Sequence, residues 1–270
     1  MRWRAGAPDP GPGAGTTRRD VLRAAAAAAL LAAAGGCAGP PAPAPSGPAA
    51  PAAPEPASSR TPPAPATADP DGTEVDHAAT GRPEVALTFH GAGDTGLARQ
   101  VLGLLHDRGA AVTVLAVGTW LAGDPDAARV VTGLGHELGN HTWSHGDVDG
   151  LGEAAARAEI ERCRDAIAAA TGGPGAFFRP SQARHATPLV RRLAAAAGYP
   201  VTLSYDVDSR DFADPGPTAV ATRVRTAGPG SVVSMHLGHP GTLAALPAVL
   251  DDLDARGLRA VTATRLLAPS

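Results

Sequence analysis

From Glu84 onward, apolar and polar positions fall into two alternating rhythms. Short aliphatic runs read as buried strands: "EVALTF" from Glu84, "AVTVLAV" over residues 111–117, "AFFR", "VTLSYDV", "SVVSMHL" and "RAVTAT", with a further short strand over 137–140. Between them, apolar residues recur three and four apart. Residues 97–108 place Val101, Leu104 and Leu105 on one helical face, and 125–134 follow Asp124 as an N-cap. The longest helix is expected over 153–171, stopped by Gly172, Gly173 and Pro174. Others are expected over 188–197, 218–226 and 242–256, the last halted by Gly257. Strand and helix thus alternate about seven times, which predicts a parallel sheet covered by helices, either open and doubly wound or closed as a barrel.

The rhythm is missing before residue 84, where Ala, Pro and Gly dominate. The segment "TTRRDVLRAAAAAALLAAAGGC" pairs Arg18 with Arg19, follows with an Ala-rich apolar run and ends at Cys37. That run is shorter than the ~20 residues of a membrane span and suits an export signal. The arginine pair resembles a twin-arginine signal, and the small residues before Cys37 resemble a lipobox; a plain cleaved signal with an incidental cysteine is the alternative. Residues 1–37 are therefore expected to be a lipoprotein signal, with Cys37 lipidated on the outer face of the cell membrane or in the wall. Residues 38–83 are expected to form an unfolded Pro/Ala-rich tether, able to reach roughly 140 Å at ~3.1 Å per residue. The folded domain is expected over 84–268, a length suited to one core. Cys163, the second of two cysteines, has no disulfide partner and reads as a small buried residue. A net charge of -3 without a basic stripe gives no case for nucleic acid.

Chemistry-bearing residues gather where strands end. His90 and Asp94 follow the first strand; His141 and His145, in "NHTWSH", follow the third; Arg179 ends the fourth. Asp208 and Asp211 follow the fifth, and His236 ends the sixth. Carboxyl ends of parallel strands form the rim on which an α/β barrel assembles its site.

In this order these residues resemble the polysaccharide deacetylase family with the NodB-homology domain, carbohydrate esterase family four. "HTWSH" is similar to its metal-binding motif, which implies His141 and His145 as ligands. "FFRPS" resembles the groove segment carrying Arg179 and Pro180. "YDVDSRDF" resembles an Asp-x-x-Asp-Trp segment with Phe212 in place of Trp, which implies that Asp211 pairs with Arg179 and tunes the base. "SMHLGH" resembles the motif whose histidine, here His236, is the general acid. The resemblance implies a distorted, incomplete (β/α) barrel of about seven parallel strands and metal-dependent removal of N- or O-acetyl groups from an acetylated polysaccharide. Tyr205, Trp143 and His185 join Pro180 as expected groove residues, and a monomer is expected.

One motif departs. Where the family has Thr-Phe-Asp-Asp-Gly, with its base and third ligand, this chain reads "TFHGAGD". Asp94 is expected to fold back as third ligand over the small residues Gly91, Ala92 and Gly93, leaving His90 as base. The swapped assignment, with His90 as ligand, stays open. A divalent cation with an open position, Zn²⁺ before Co²⁺ or Ni²⁺, would lower the pKa of bound water and polarise the acetyl carbonyl; imidazole is suited to proton transfer near neutrality. Against these stand plainer readings. Asp208 and Asp211 could cap a turn before Pro215, Arg179 could be an ordinary ion-pair partner, and Trp143 could belong to the core. His185 and His239 suit either groove or solvated surface; His77, His106 and His136 suit the surface. A catalytically silent relative that binds glycan in the same groove is the alternative function.

Overall fold

The computed structural model describes residues 71–269. The signal-like segment, Cys37 and residues 38–70 lie outside the described residues. Strands β1 (Thr73–Val75), β2 (Glu84–Gly91), β3 (Thr113–Ala116), β4 (Glu137–Asn140), β5 (Val201–Leu203), β6 (Val207–Asp208), β7 (Val232–His236) and β8 (Arg259–Val261) pair in parallel throughout. Their order is β4-β3-β2-β7-β6, with β8 against the start of β2 and a separate β1-β5 pair. Phe178 bridges to Asn140 on one side and Thr202 on the other, carrying the wall from β4 to β5. The helices are α1 (Thr95–Asp107), α2 (Gly118–Gly123), α3 (Ala127–Gly133), α4 (Glu153–Thr171), α5 (Pro188–Ala196), α6 (Pro217–Val224), α7 (Pro240–Ala255) and α8 (Ala263–Leu267). The result is a distorted (β/α) barrel.

Four local expectations are corrected. The folded part begins before Glu84, because β1 pairs with β5; three residues give too short an alternation to read. "AFFR" is one bridging residue rather than a strand. "VTLSYDV" breaks in two because Asp206 leaves the β5 line: its carboxylate accepts from the Val232 amide and the Ser231 hydroxyl. Helix α2 was not expected from "GTWLAG", whose glycines disfavour helix; burial of Trp120 and Leu121 overrides that propensity.

The period of two along each strand sorts the interior. On β2, Val85, Leu87 and Phe89 face the helices, in a core with Val101, Leu105, Val249 and Leu253. Ala86, on the opposite face, joins Leu115, Leu203, Val232, Ala263 and Leu266 inside the barrel, so α8 helps plug its lower end. At that end Glu84 is fully buried and meets three arginines: Arg82 at 2.8 Å, Arg259 at 2.8 Å and Arg265 at 3.3 Å. Cys163 is buried, and burial pushes its thiol up to about 12, which makes it inert.

Candidate active site

Thr88 and His90 continue the inward face of β2 above Ala86. Register with β7 pairs Thr88 with Ser234 and His90 with His236, so two imidazoles stand side by side at the rim, their centroids 4.3 Å apart. His141 and His145 come from the loop after β4. Asn140, fully buried, holds that loop: its amide donates to Ile160 O and the Tyr199 hydroxyl, and its Oδ1 accepts from the Thr142 amide. Thr142 and His145 both have left-handed φ, 67° and 62°, rare for residues with a Cβ and typical of sites where geometry is imposed. The turn brings the His141 and His145 rings within 4.9 Å of one another, and His141 within 4.2 Å of His90.

One ring nitrogen from each of His90, His141 and His145 lies within 4.8 Å of the others. His141 Nδ1 is 3.0 Å from the Arg179 carbonyl, which can only accept, so the proton sits there. Its Nε2 is then a bare lone pair, buried and without a hydrogen-bond partner. Burial holds His90 and His141 well below the ordinary imidazole range, reinforced at His90 by His141 and His236 and at His141 by His145. Neutral imidazoles with an orphaned nitrogen are what a divalent cation of borderline softness needs, and the donor set fits one.

Asp94 is not among these groups. Its carboxylate accepts from the Leu97 amide at 2.6 Å and caps α1, so the chain past Gly93 turns into the helix instead of back toward the histidines. Position 91 offers no side chain, and a Cβ there would press on Val114, Ala116 and Trp120 at 3.0–3.2 Å.

Asp211 also departs from its expected partner. It is buried, and both oxygens serve His236: Oδ1 accepts from Nδ1 at 2.7 Å and Oδ2 from the backbone amide at 2.7 Å. Thr242 donates to Oδ2 at 2.6 Å. Burial would raise this carboxyl, but the His236 and Thr242 bonds outweigh it and hold the group below the usual carboxylate range. Arg179, fully buried, instead donates to Thr88 Oγ1 (2.9 Å), Leu203 O (2.7 Å), Ser204 O (3.1 Å) and His90 Nε2 (3.1 Å). Burial pulls its guanidinium down to about 9, still charged at neutral pH.

A cavity of about 430 Å³ opens over the cluster. His90, His145, Pro180, Tyr205, Asp208 and His236 line it, as do Phe212 and His239. Asp208 also caps its own turn by accepting from the Arg210 amide. Two residues with a double reading take the one outside the groove, and one expected at the surface is buried. His185 is exposed and sits 3.4 Å from Glu74; Trp143 packs beside the main core under the Arg162 guanidinium; His136 is buried with Nε2 on Leu102 O. Sequence reasoning missed Thr242, Ser234 and Gln182. Thr242 opens an apolar helix and looks like a cap, and Gln182, whose amide lies 3.2 Å from His145 Nδ1, follows Arg179 too closely to stand out from a loop.

Barrel, rim and imidazole cluster define a candidate hydrolytic metal site, and comparison with known proteins supplies its class. Residues 77–202 match the family model described as polysaccharide deacetylase. A peptidoglycan-N-acetylglucosamine deacetylase of Bacillus cereus is 31% identical over 188 residues, covering 68% of this chain and 87% of the relative. A family 4 carbohydrate esterase from Streptomyces lividans, solved with acetate, superposes with a TM-score of 0.62 at 31% identity, covering 66% of this chain and 91% of that one. A family 4 pseudoenzyme from Bacillus anthracis shares the fold at TM-score 0.69 and 24% identity, covering 73% of this chain and 69% of that one. The chain belongs to the polysaccharide deacetylase family.

Proposed function

We propose that the protein is a metal-dependent hydrolase that removes acetyl groups from a polysaccharide of the cell envelope. The buried, partnerless Nε2 of His141 carries the reading: without a cation it is an orphaned polar atom in the middle of three imidazoles. His90, His141 and His145 would hold the ion. When bound there, a divalent cation acidifies water and polarises the acetyl carbonyl. His236 faces the cavity with its ring fixed by Asp211, which accepts from Nδ1 and balances the charge of an imidazolium. That leaves Nε2 to hand a proton to the departing nitrogen or oxygen. Phe212 stands edge-on to His236 and, with Tyr205 and Pro180, supplies apolar surface for a sugar ring.

Acetate release from a panel of acetylated glycans (peptidoglycan, chitin oligomers, xylan), with and without added Zn²⁺, tests the reading. Metal-stimulated release from at least one supports it. Binding of glycan without release from any would install the second reading, a silent glycan-binding relative. That reading is favoured by the lack of a carboxylate among the three ligating positions.

Export and anchoring through Arg18, Arg19 and Cys37 complete the proposal. Cys37→Ser should move the protein from the membrane fraction to the medium, and wild-type protein already free in the medium would overturn the anchor.

A further inference from the structure

Arg179 and His90 meet in a way that a metal-binding role cannot ignore. Arg179 Nη1 lies 3.1 Å from His90 Nε2. A guanidinium has only hydrogens to offer, so Nε2 must accept, and in a neutral ring the proton then sits on Nδ1. In that arrangement His90 has no free lone pair. To hold a cation through Nε2 it must surrender the lone pair that Arg179 uses. To hold one through Nδ1 its proton must move to Nε2, where two N–H groups would face each other. Both routes break the Arg179 bond.

Arg179 is badly placed to withdraw. Nε is held by Leu203 O, and Nη2 by Thr88 Oγ1 and Ser204 O, all within a fully buried setting. Among the described residues no carboxylate lies within ion-pair distance of it, so His90 is the one imidazole bond that this charge has in the site. The resemblance puts an acid at position 90, where it would accept from the arginine without being asked to bind anything else. Histidine at that position is asked to do both.

We propose that Arg179 and a divalent cation compete for His90, so that the Arg179–His90 hydrogen bond sets the cation affinity of the site. His141 offers a standing lone pair at Nε2, His145 has only the neutral Gln182 amide against its Nδ1, and the third ligand is released only when the bond to the arginine charge opens. The proposal rests on reading the three histidines as a metal site, and it makes Arg179 a gate on that site.

Zinc titration by calorimetry on four forms of the full chain tests it: wild type, Arg179→Met, His90→Ala and the double variant. Arg179→Met keeps much of the aliphatic volume and removes the donor. It should bind zinc at least roughly tenfold more tightly than wild type, the usual worth of a hydrogen bond to a charged group. That gain should vanish in the His90→Ala background. An equal gain in both backgrounds would mean only that a positive charge had been removed, and would overturn the proposal, as would no gain. If Arg179→Met does not fold, ¹⁵N NMR of the wild-type imidazoles decides. Saturating zinc should move the His90 nitrogens along with those of His141 and His145; unmoved His90 nitrogens overturn the gate. Zinc bound alike by all four forms sinks the gate but leaves the metal site standing. Zinc bound by none sinks both.

Discussion

The two ends of β2 each bury a charge, and they treat it in opposite ways. At the lower end the Glu84 carboxylate is shared by Arg82, Arg259 and Arg265, and the Arg82 hydrogen bond, opposed by burial and aided by Arg265, holds it below the usual carboxylate range. At the rim, beside His90 four residues on from Ala86, Arg179 is equally buried and leans on a hydroxyl, two carbonyls and a histidine. A charge buried with opposite charges around it ties elements together: here it joins β2, β8 and α8. A charge buried among neutral acceptors is costly to the fold, and such costs concentrate where a site needs a field or an unspent interaction. The lower end is thus a fastening and the rim is machinery, and substitutions at the two ends should separate stability from chemistry.

The largest effect is expected at the rim. His236→Ala should reduce kcat by roughly 10²–10⁴-fold, the range for loss of a general acid, while zinc content and the thermal midpoint stay close to wild type. Deacetylase assays beside elemental analysis and a melting curve give all three. Turnover within a factor of a few of wild type in a metal-loaded variant would remove His236 from the reaction. A large drop in the melting point would instead make the Asp211–His236 pair a second fastening and erase the contrast.

At the other end the expectation reverses. Glu84→Gln leaves three arginines around a neutral amide and should destabilise the domain by up to about 3 kcal/mol, the lower end for a broken buried pair because Arg259 and Arg265 remain largely in solvent. Zinc affinity should not change. Because the folded-state pKa of Glu84 is depressed, its contribution is fully present above the ordinary carboxylate value, about 4, and is lost as pH falls through the lower folded value. The stability gap between wild type and variant, measured by urea unfolding, should therefore be widest at neutral pH and shrink in strong acid. A gap independent of pH would assign the effect to packing and not to charge.

The contrast between the ends also marks what could be read from residue order alone. The strand–helix alternation, the long helix Glu153–Thr171 and the concentration of His, Asp and Arg at strand ends were legible, because burial periodicity and rim position are local consequences of the chain. The barrel itself was implied by resemblance, since periodicity treats open and closed sheets alike. Partnerships were not legible. Asp211 could reach either Arg179 or His236 from the same loop, and only the β6-β7 pairing decides for His236. Glu84 reads as the polar start of a strand; its arginines lie at positions 82, 259 and 265, and sequence distance hides the last two. His136 was expected at the surface, and Trp143 and His185 could not be assigned between groove and core or surface, for the same reason: a single polar or aromatic residue between elements carries no signal about which neighbour it will meet.

The smallest effect probes the contrast at its edge, where the carboxylate next along the chain from the rim is Asp94. If Asp94 could swing to His90, His141 and His145, that cluster would have a carboxylate after all, and Arg179 would not be as isolated as it stands. The structure spends this carboxylate on the Leu97 amide, at the first turn of a helix whose buried face, Ala98, Val101, Leu102 and Leu105, packs firmly into the main core. Releasing it would forfeit the cap and leave amides of the first turn to water. Asp94→Ala should therefore cost about 1 kcal/mol of stability, the ordinary worth of an N-cap, and Asp94→Asn or Asp94→Ser should recover most of it because both side chains can cap. Zinc affinity should be unchanged in all three variants, whereas His90→Ala should weaken it. Loss of zinc in Asp94→Asn, where the cap survives and only the charge is gone, would return Asp94 to the metal and give the rim the counter-charge that the lower end of β2 already has.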